Sequence, residues 1–238
     1  MFLDLKTKRR GFEMTKAKKM MSFFLAGMSV VFMFVFLCAS MNLNGDSAVS
    51  AKSTLLLTSD MQSDENGAIV IEDVTFSGGD KIFVNTNQEV TIKNCTFVGT
   101  TSSAIVVECG TVNIVNSTIQ NSRKNGIDVL GDATLNILGH TRIFGNAVGI
   151  FVESGTSPTI NLGVSATTVA SSSGALEQFS GFIAQNGIGI DSSGASPTIE
   201  MFGGTIGTAE GYAANDRAVV VGTGGSFRLR GGKVINHD

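Results

Sequence analysis

Val112-Asn-Ile-Val-Asn-Ser-Thr-Ile-Gln-Asn-Ser-Arg-Lys-Asn-Gly-Ile-Asp-Val129 holds, in eighteen residues, most of one structural period. Val112 and Ile114 flank a polar residue, the period-two alternation of a strand with one buried face. Asn116 and Asn121 are of a type that tolerates positive φ, and each predicts a bend. Ile119, between them, points back to the same apolar interior. Gly126-Ile-Asp-Val129 then opens a third strand.

The pattern recurs along the chain. Ile69-Val-Ile71, Val90-Thr-Ile92, Val112-Asn-Ile114, Leu135-Asn-Ile137, Ile160-Asn-Leu162, Ile199-Glu-Met201 and Phe227-Arg-Leu229 are seven copies, spaced by 21, 22, 23, 25, 39 and 28 residues. Two residues past each second apolar position stands Asp73, Asn94, Asn116, Gly139, Gly203 or Gly231, a predicted bend. Phe76, Phe97, Ile119, Ile143, Ile206 and Val234 follow as a core column, and Gly78, Gly99, Asn121, Gly145 and Asn236 as a second bend. The third strands are Ala104-Ile-Val-Val107, Gly126-Ile-Asp-Val129, Gly149-Ile-Phe-Val152, Gly187-Ile-Gly-Ile190 and Ala218-Val-Val-Val221. A repeat in the low twenties is one coil of a solenoid, and a coil buries its apolar stripe only by stacking on its neighbours. The expectation is an all-β parallel β-helix of about seven coils over 69–238. A cap or linker precedes it at 52–68, and a small-residue loop is inserted near 163–181.

Residues 1–51 read differently. Seven Lys/Arg lead into an uncharged run from Met20 to Ala39, the basic and apolar regions of an export signal. Val49-Ser50-Ala51 suits cleavage, while the length of the run also suits an uncleaved anchor. Cys38 as a lipidated residue is disfavoured by Leu37 before it. The body is therefore expected to be secreted or displayed at the cell surface, touching membrane only through this segment.

From residue 52 onward the chain carries ten Lys/Arg against seventeen Asp/Glu, a net charge of −7. That sign repels phosphate backbones and argues against nucleic acid. With 29 Gly, 2 Pro and no Trp, collagen and a large aromatic core are excluded. Three cysteines build neither a disulfide framework nor a four-ligand zinc site; at most Cys95 pairs with Cys109.

Asn125-Gly-Ile-Asp-Val129, Ile143-Phe-Gly-Asn146 and Gly149-Ile-Phe-Val152 resemble the right-handed parallel β-helix repeats of the pectin-lyase-like superfamily. Ile199-Glu-Met-Phe-Gly-Gly-Thr-Ile206 and Phe227-Arg-Leu-Arg-Gly-Gly-Lys-Val-Ile-Asn236 resemble the glycine-pair repeats of bacterial surface and adhesin-like proteins. The resemblance covers about 66–238 and implies right-handedness. It specifies a scaffold, whose functions sit on outward side chains and loops.

On the outward face of the third strand, the matched positions give one column of Val106, Asp128, Phe151, Gly189 and Val220. The next reads Glu108, Leu130, Glu153, Asp191 and Gly222. This alignment sets Glu153 and Asp191 on adjacent coils, with Asp128 diagonal to them and Phe151 beside them. Such a carboxylate pair shares a proton or a cation. Superfamily lyases and hydrolases use acidic residues on adjacent coils, so Glu153, Asp191 and Asp128 are the catalytic candidates if the chain is an enzyme. Phe151, Glu153 and Asp191 are the ligand-binding candidates. The superfamily's paired-aspartate and Gly-His-Gly motifs are missing, and His140 falls on a bend elsewhere. The favoured expectation is thus a non-enzymatic scaffold that recognises extracellular glycans or proteins, without a cofactor. Calcium enters only with the enzyme alternative. Arg217, Arg228, Arg230 and Lys233 gather in the last coil, where they either blunt an exposed final strand, belong to a longer array of coils, or mark an end that docks onto another molecule.

Overall fold

The computed structural model describes residues 54–61, 67–165 and 177–235. The leader expectation and the middle of the 163–181 insertion lie outside the described residues.

Three seven-stranded sheets, parallel throughout, run along the body. Sheet A contains Thr54–Thr58, Lys81–Asn85, Ile105–Val107, Asn125–Val129, Val148–Val152, Ile188–Ser192 and Arg217–Val221. Sheet B contains Ala68–Glu72, Glu89–Lys93, Thr111–Val115, Thr134–Leu138, Thr159–Leu162, Thr198–Met201 and Ser226–Leu229. Sheet C contains Thr75–Ser77, Thr96–Val98, Thr118–Gln120, Arg142–Phe144, Phe182–Ala184, Thr205–Gly207 and Lys233–Ile235. Each coil contributes one strand to each sheet, so like positions of successive repeats become ladder partners. The segment read as a cap or linker, 52–68, carries the first strand of sheet A: Thr54–Thr58 pairs in register with Lys81–Asn85. Both strands lie before the first recognised copy of the third-strand pattern and share little of its Gly-Ile signature.

The interior is a stack of aliphatic side chains. Val90, Val112, Leu135, Ile160 and Ile199 form one ladder of sheet B and are fully buried. In sheet C the rings of Phe76 and Phe97 stack at 4.6 Å and 4° between planes, and Ile119, Ile143, Ile183 and Ile206 continue that column.

The bends follow the residue types. Asp73, Asn94, Asn116 and Gly139 have φ of 59°, 52°, 49° and 59°. In the last two coils the positive φ falls on Gly204 and Gly232, one residue beyond the expected Gly203 and Gly231. Asn94 and Asn116 do not bond to each other: Asn94 Nδ2 donates to Asp73 Oδ1 at 3.1 Å, and Asn116 Oδ1 accepts the His140 N–H at 2.8 Å.

A buried amide column holds the corner between sheets C and A. Asn186 Oδ1 accepts both the backbone N–H (3.0 Å) and Nδ2 (3.1 Å) of Asn146. Asn215 Oδ1 does the same for Asn186, at 2.9 and 3.1 Å. Each Nδ2 also donates inward, from Asn186 to the Ile143 and Ala184 carbonyls and from Asn215 to that of Ile183. The backbone N–H groups of Asn146 and Asn186 and the Nδ2 groups of all three residues thus find acceptors on a neighbouring coil, as burial demands.

Cys95 and Cys109 are both free, so the disulfide open to them in sequence is not formed. Burial pushes the Cys95 thiol above its ordinary pKa, against hydrogen bonding from the Val74 and Lys93 backbones.

Candidate functional site

The carboxylate cluster read from the columns is not assembled. Asp191 pairs with Phe151, and Phe151 with Asp128, so Asp128, Phe151 and Asp191 share one column with the aromatic residue in the middle. Asp128 and Asp191 are thereby two coils apart, about 9.6 Å along the stack. Glu153 lies beyond the strand and is exposed. The misalignment is a slip of two residues. Gly187-Ile-Gly-Ile190 offers two Gly-Ile starts, and a two-residue shift keeps every side chain on its own face. Asn186 decides between them: seated under Asn146, it sets Ile190 beside Ile150.

The acidic side chains serve local backbone and amide groups. Asp128 Oδ1 accepts from Asn125 Nδ2 at 2.6 Å, and Asp191 Oδ1 caps its own turn through the Ser193 N–H at 3.1 Å. Among the described residues, no group of three or more His, Cys, Asp or Glu could hold a metal ion.

A different constellation lies on the outer face of sheet C. In its strands Thr118–Gln120 and Arg142–Phe144 only the middle residue is buried, and the first and third side chains face outward. The first positions stack as Thr118, Arg142, Phe182 and Thr205, and the third as Gln120, Phe144, Ala184 and Gly207. The loop between Gly207 and Arg217 folds back over this face, held by the Gln185 N–H on the Ala213 carbonyl at 2.9 Å. It brings Tyr212 to 4.7 Å from Phe144, edge-on, and to 4.5 Å from Phe182. Three half-buried rings thus form one aromatic surface.

Beside it opens a cleft of about 380 Å³ lined by Asn116, Thr118, His140, Arg142, Ser180, Gly181 and Phe182. The return limb of the 163–181 insertion is its wall. Phe179 is buried at 2 % exposure, Gln178 Nε2 reaches the Val164 carbonyl at 2.5 Å, and the Ser180 N–H donates to the Gly139 carbonyl at 2.8 Å. Val164, at the base of the outgoing limb, packs on Val115 and Leu138. The insertion is therefore anchored at both ends of its described part. Ser180 Oγ and His140 Nδ1 are 2.8 Å apart, and Arg142 Nη2 donates to Thr118 Oγ1 at 3.1 Å.

Sheet B presents a second polar array. Asn136 Nδ2 donates to Asn113 Oδ1 at 2.7 Å, and Asn161 Nδ2 to Asn136 Oδ1 at 2.8 Å. Further along the same column, Glu200 receives Arg230 at 3.0 Å and Arg228 at 3.3 Å. Hydrogen bonding from Arg230 and then Arg228 holds its carboxyl below the ordinary range. Two of the last coil's basic residues thus pair backward onto the preceding coil.

Of the sequence candidates, the structure brings Asp128, Phe151 and Asp191 into one column and leaves Glu153 outside it. The sheet C cleft went unread. Phe182 and Ile183 repeat the spacing of Arg142 and Ile143, but the long insertion before them hides that match. Tyr212 is remote from every repeat position.

No curated protein and no solved structure matches the chain. A family model described as the right handed beta helix region matches residues 63–206, which takes in the sheet C strands from Thr75–Ser77 to Phe182–Ala184 and the cleft between them. With more than half its length matched and its strands stacked in three parallel sheets, the chain belongs to the right-handed beta helix family.

Proposed function

We propose that this protein is an exported, non-enzymatic β-helix that recognises glycans at the secreted or cell-surface stage, through the outer face of sheet C. The observation that carries the reading is the Phe144, Phe182 and Tyr212 surface beside a cleft of hydrogen-bonding side chains. Aromatic faces take the apolar side of a sugar ring, while hydroxyls, amides and a guanidinium take its polar edge. Such a division on a pre-formed rigid face is what weak, multivalent recognition needs, since little is left to order on binding. The basic and apolar leader supports export.

The separation of Asp128 from Asp191 and the exposed position of Glu153 favour binding over turnover. The test is glycan binding by the full chain, with Phe182→Ala beside the wild type. Binding that Phe182→Ala weakens, with no product released, supports the reading. Turnover abolished by Asp191→Asn overturns it in favour of a carbohydrate-active enzyme.

A further inference from the structure

We propose that Arg142 selects ligands with an anionic substituent, a carboxylate or a sulfate ester on a sugar; this rests on the glycan-binding reading of the same cleft. The argument begins with charge. From residue 52 onward the chain is net acidic; Lys93, Arg228 and Arg230, outside sheet C, are partnered by Glu72 and Glu200, and Lys233, at the far end of Arg142's own column, lies outside the cleft, whose lining holds Arg142 as its cation. Among the described residues, no carboxylate lies within ion-pair distance of Arg142. Its one described side-chain bond is to a neutral hydroxyl, Thr118 Oγ1, at 3.1 Å. A guanidinium has five N–H donors in a planar fork, and most of them remain for a ligand.

The rest of the polar lining also donates. Asn116 Oδ1 is occupied by the His140 N–H, which leaves the amide nitrogen as the end that can meet a ligand. Thr118 Oγ1 already accepts from Arg142, so its hydroxyl hydrogen is free to donate. Ser180 and His140, bonded to each other, add a hydroxyl and an imidazole to the lining. Glu177 packs against Gly139, its Oε2 2.6 Å from where an added Cβ would stand, and is not among the residues lining the cleft. A cleft whose side chains chiefly offer N–H and O–H groups, with a cation unmatched by any described carboxylate, is complementary to an oxyanion. Charge-assisted bonds to a guanidinium are about twice as strong as neutral ones. Phe182, next to Arg142 in the same column, holds the ring that carries the anion.

The experiment uses the full chain and a set of immobilised glycans in matched pairs, each uronate-, sialate- or sulfate-bearing member beside its neutral counterpart. The wild type is expected to bind acidic members at least about tenfold more tightly, with the preference shrinking as salt rises from about 0.05 to 0.5 M. Arg142→Gln is expected to erase the preference, the acidic members losing at least about tenfold more affinity than their neutral counterparts. Response to carboxylates, to sulfates or to both upholds the proposal and identifies the anion. Equal binding of both members, or an unchanged preference in Arg142→Gln, overturns it. If Phe182→Ala still weakens binding in that case, glycan recognition stands and only the anion selection falls. Absence of binding to every member of the set overturns both.

Discussion

The ring of Phe182 lies 4.5 Å from that of Tyr212, tilted by 44°, although one belongs to a strand of sheet C and the other to the loop closing the next coil. The contact joins a repeat position to a non-repeat one. Phe182 owes its outward direction to Ile183, which occupies the core column beside Ile143. Tyr212 owes its position to the Ala209 and Tyr212 bridge and to the Gln185 bond that ties the loop down.

Phe182→Ala is expected to lower glycan affinity at least about tenfold, or about 1.4 kcal/mol. Tyr212→Ala should act in the same direction. Both rings are half-buried, so folding stability should fall by only about 1 kcal/mol. Calorimetric titration and a denaturation curve on the same samples separate the two effects.

Asn186→Ala should be among the more damaging single changes. It removes the acceptor of both Asn146 bonds and frees the Ile143 and Ala184 carbonyls inside the body. Stranding several buried polar groups costs about 3 kcal/mol, read as a lower urea midpoint. A loss under about 1 kcal/mol would mean that the column does not hold the corner.

Gly204→Ala combines two penalties. The position has φ of 70°, and an added Cβ would meet the Phe179 ring at 2.3 Å. A loss of about 2 kcal/mol or more is expected. Because Phe179 supports Ser180 and Gly181, glycan binding should weaken as well, a coupling that Phe182→Ala does not show in stability.

Cys95 and Cys109 should differ in alkylation. With Cys38→Ser in the background, Cys109 reacts in the native protein near neutral pH and Cys95 only after unfolding, countable by mass. The raised Cys95 pKa also has a thermodynamic sign. Below the ordinary thiol value of 9.0 both states keep the proton and no stability is lost. As pH rises from that value toward the folded pKa, the unfolded chain ionises first and stability falls. Cys95→Ser removes that thiol's ionisation and should flatten the alkaline limb of a stability curve.

Asp128→Asn and Asp191→Asn should add. Two coils apart, with Phe151 between them and local hydrogen bonds of their own, they have no shared partner. The double variant should match the sum of the singles within about 0.5 kcal/mol. A coupling above about 1 kcal/mol would mean that the two carboxylates interact across the Phe151 coil.

The legibility of this chain follows the periodicity of its side chains. All seven sheet B strands were readable, since the alternation of Ile69 and Ile71, or of Val112 and Ile114, must match the core for stacking to bury anything. The bends at Asp73, Asn94, Asn116 and Gly139 were readable because few residue types enter positive φ cheaply. The first strand of sheet A was missed, since Leu55, Leu56 and Leu57 break the alternation.

Composition and period alone thus determined the all-β class, the coil as the unit and the apolar interior, because each depends on residue type at a local spacing. Tertiary structure decided the absolute register after the insertion, through Asn186 meeting Asn146, and with it which outward side chains are neighbours. It also decided the cleft. Arg142 and Ser180 share that cleft, and Phe182 on its lining meets Tyr212, only because a coil, an inserted limb and a closing loop come together there, and no local pattern encodes a meeting of segments so far apart in the chain.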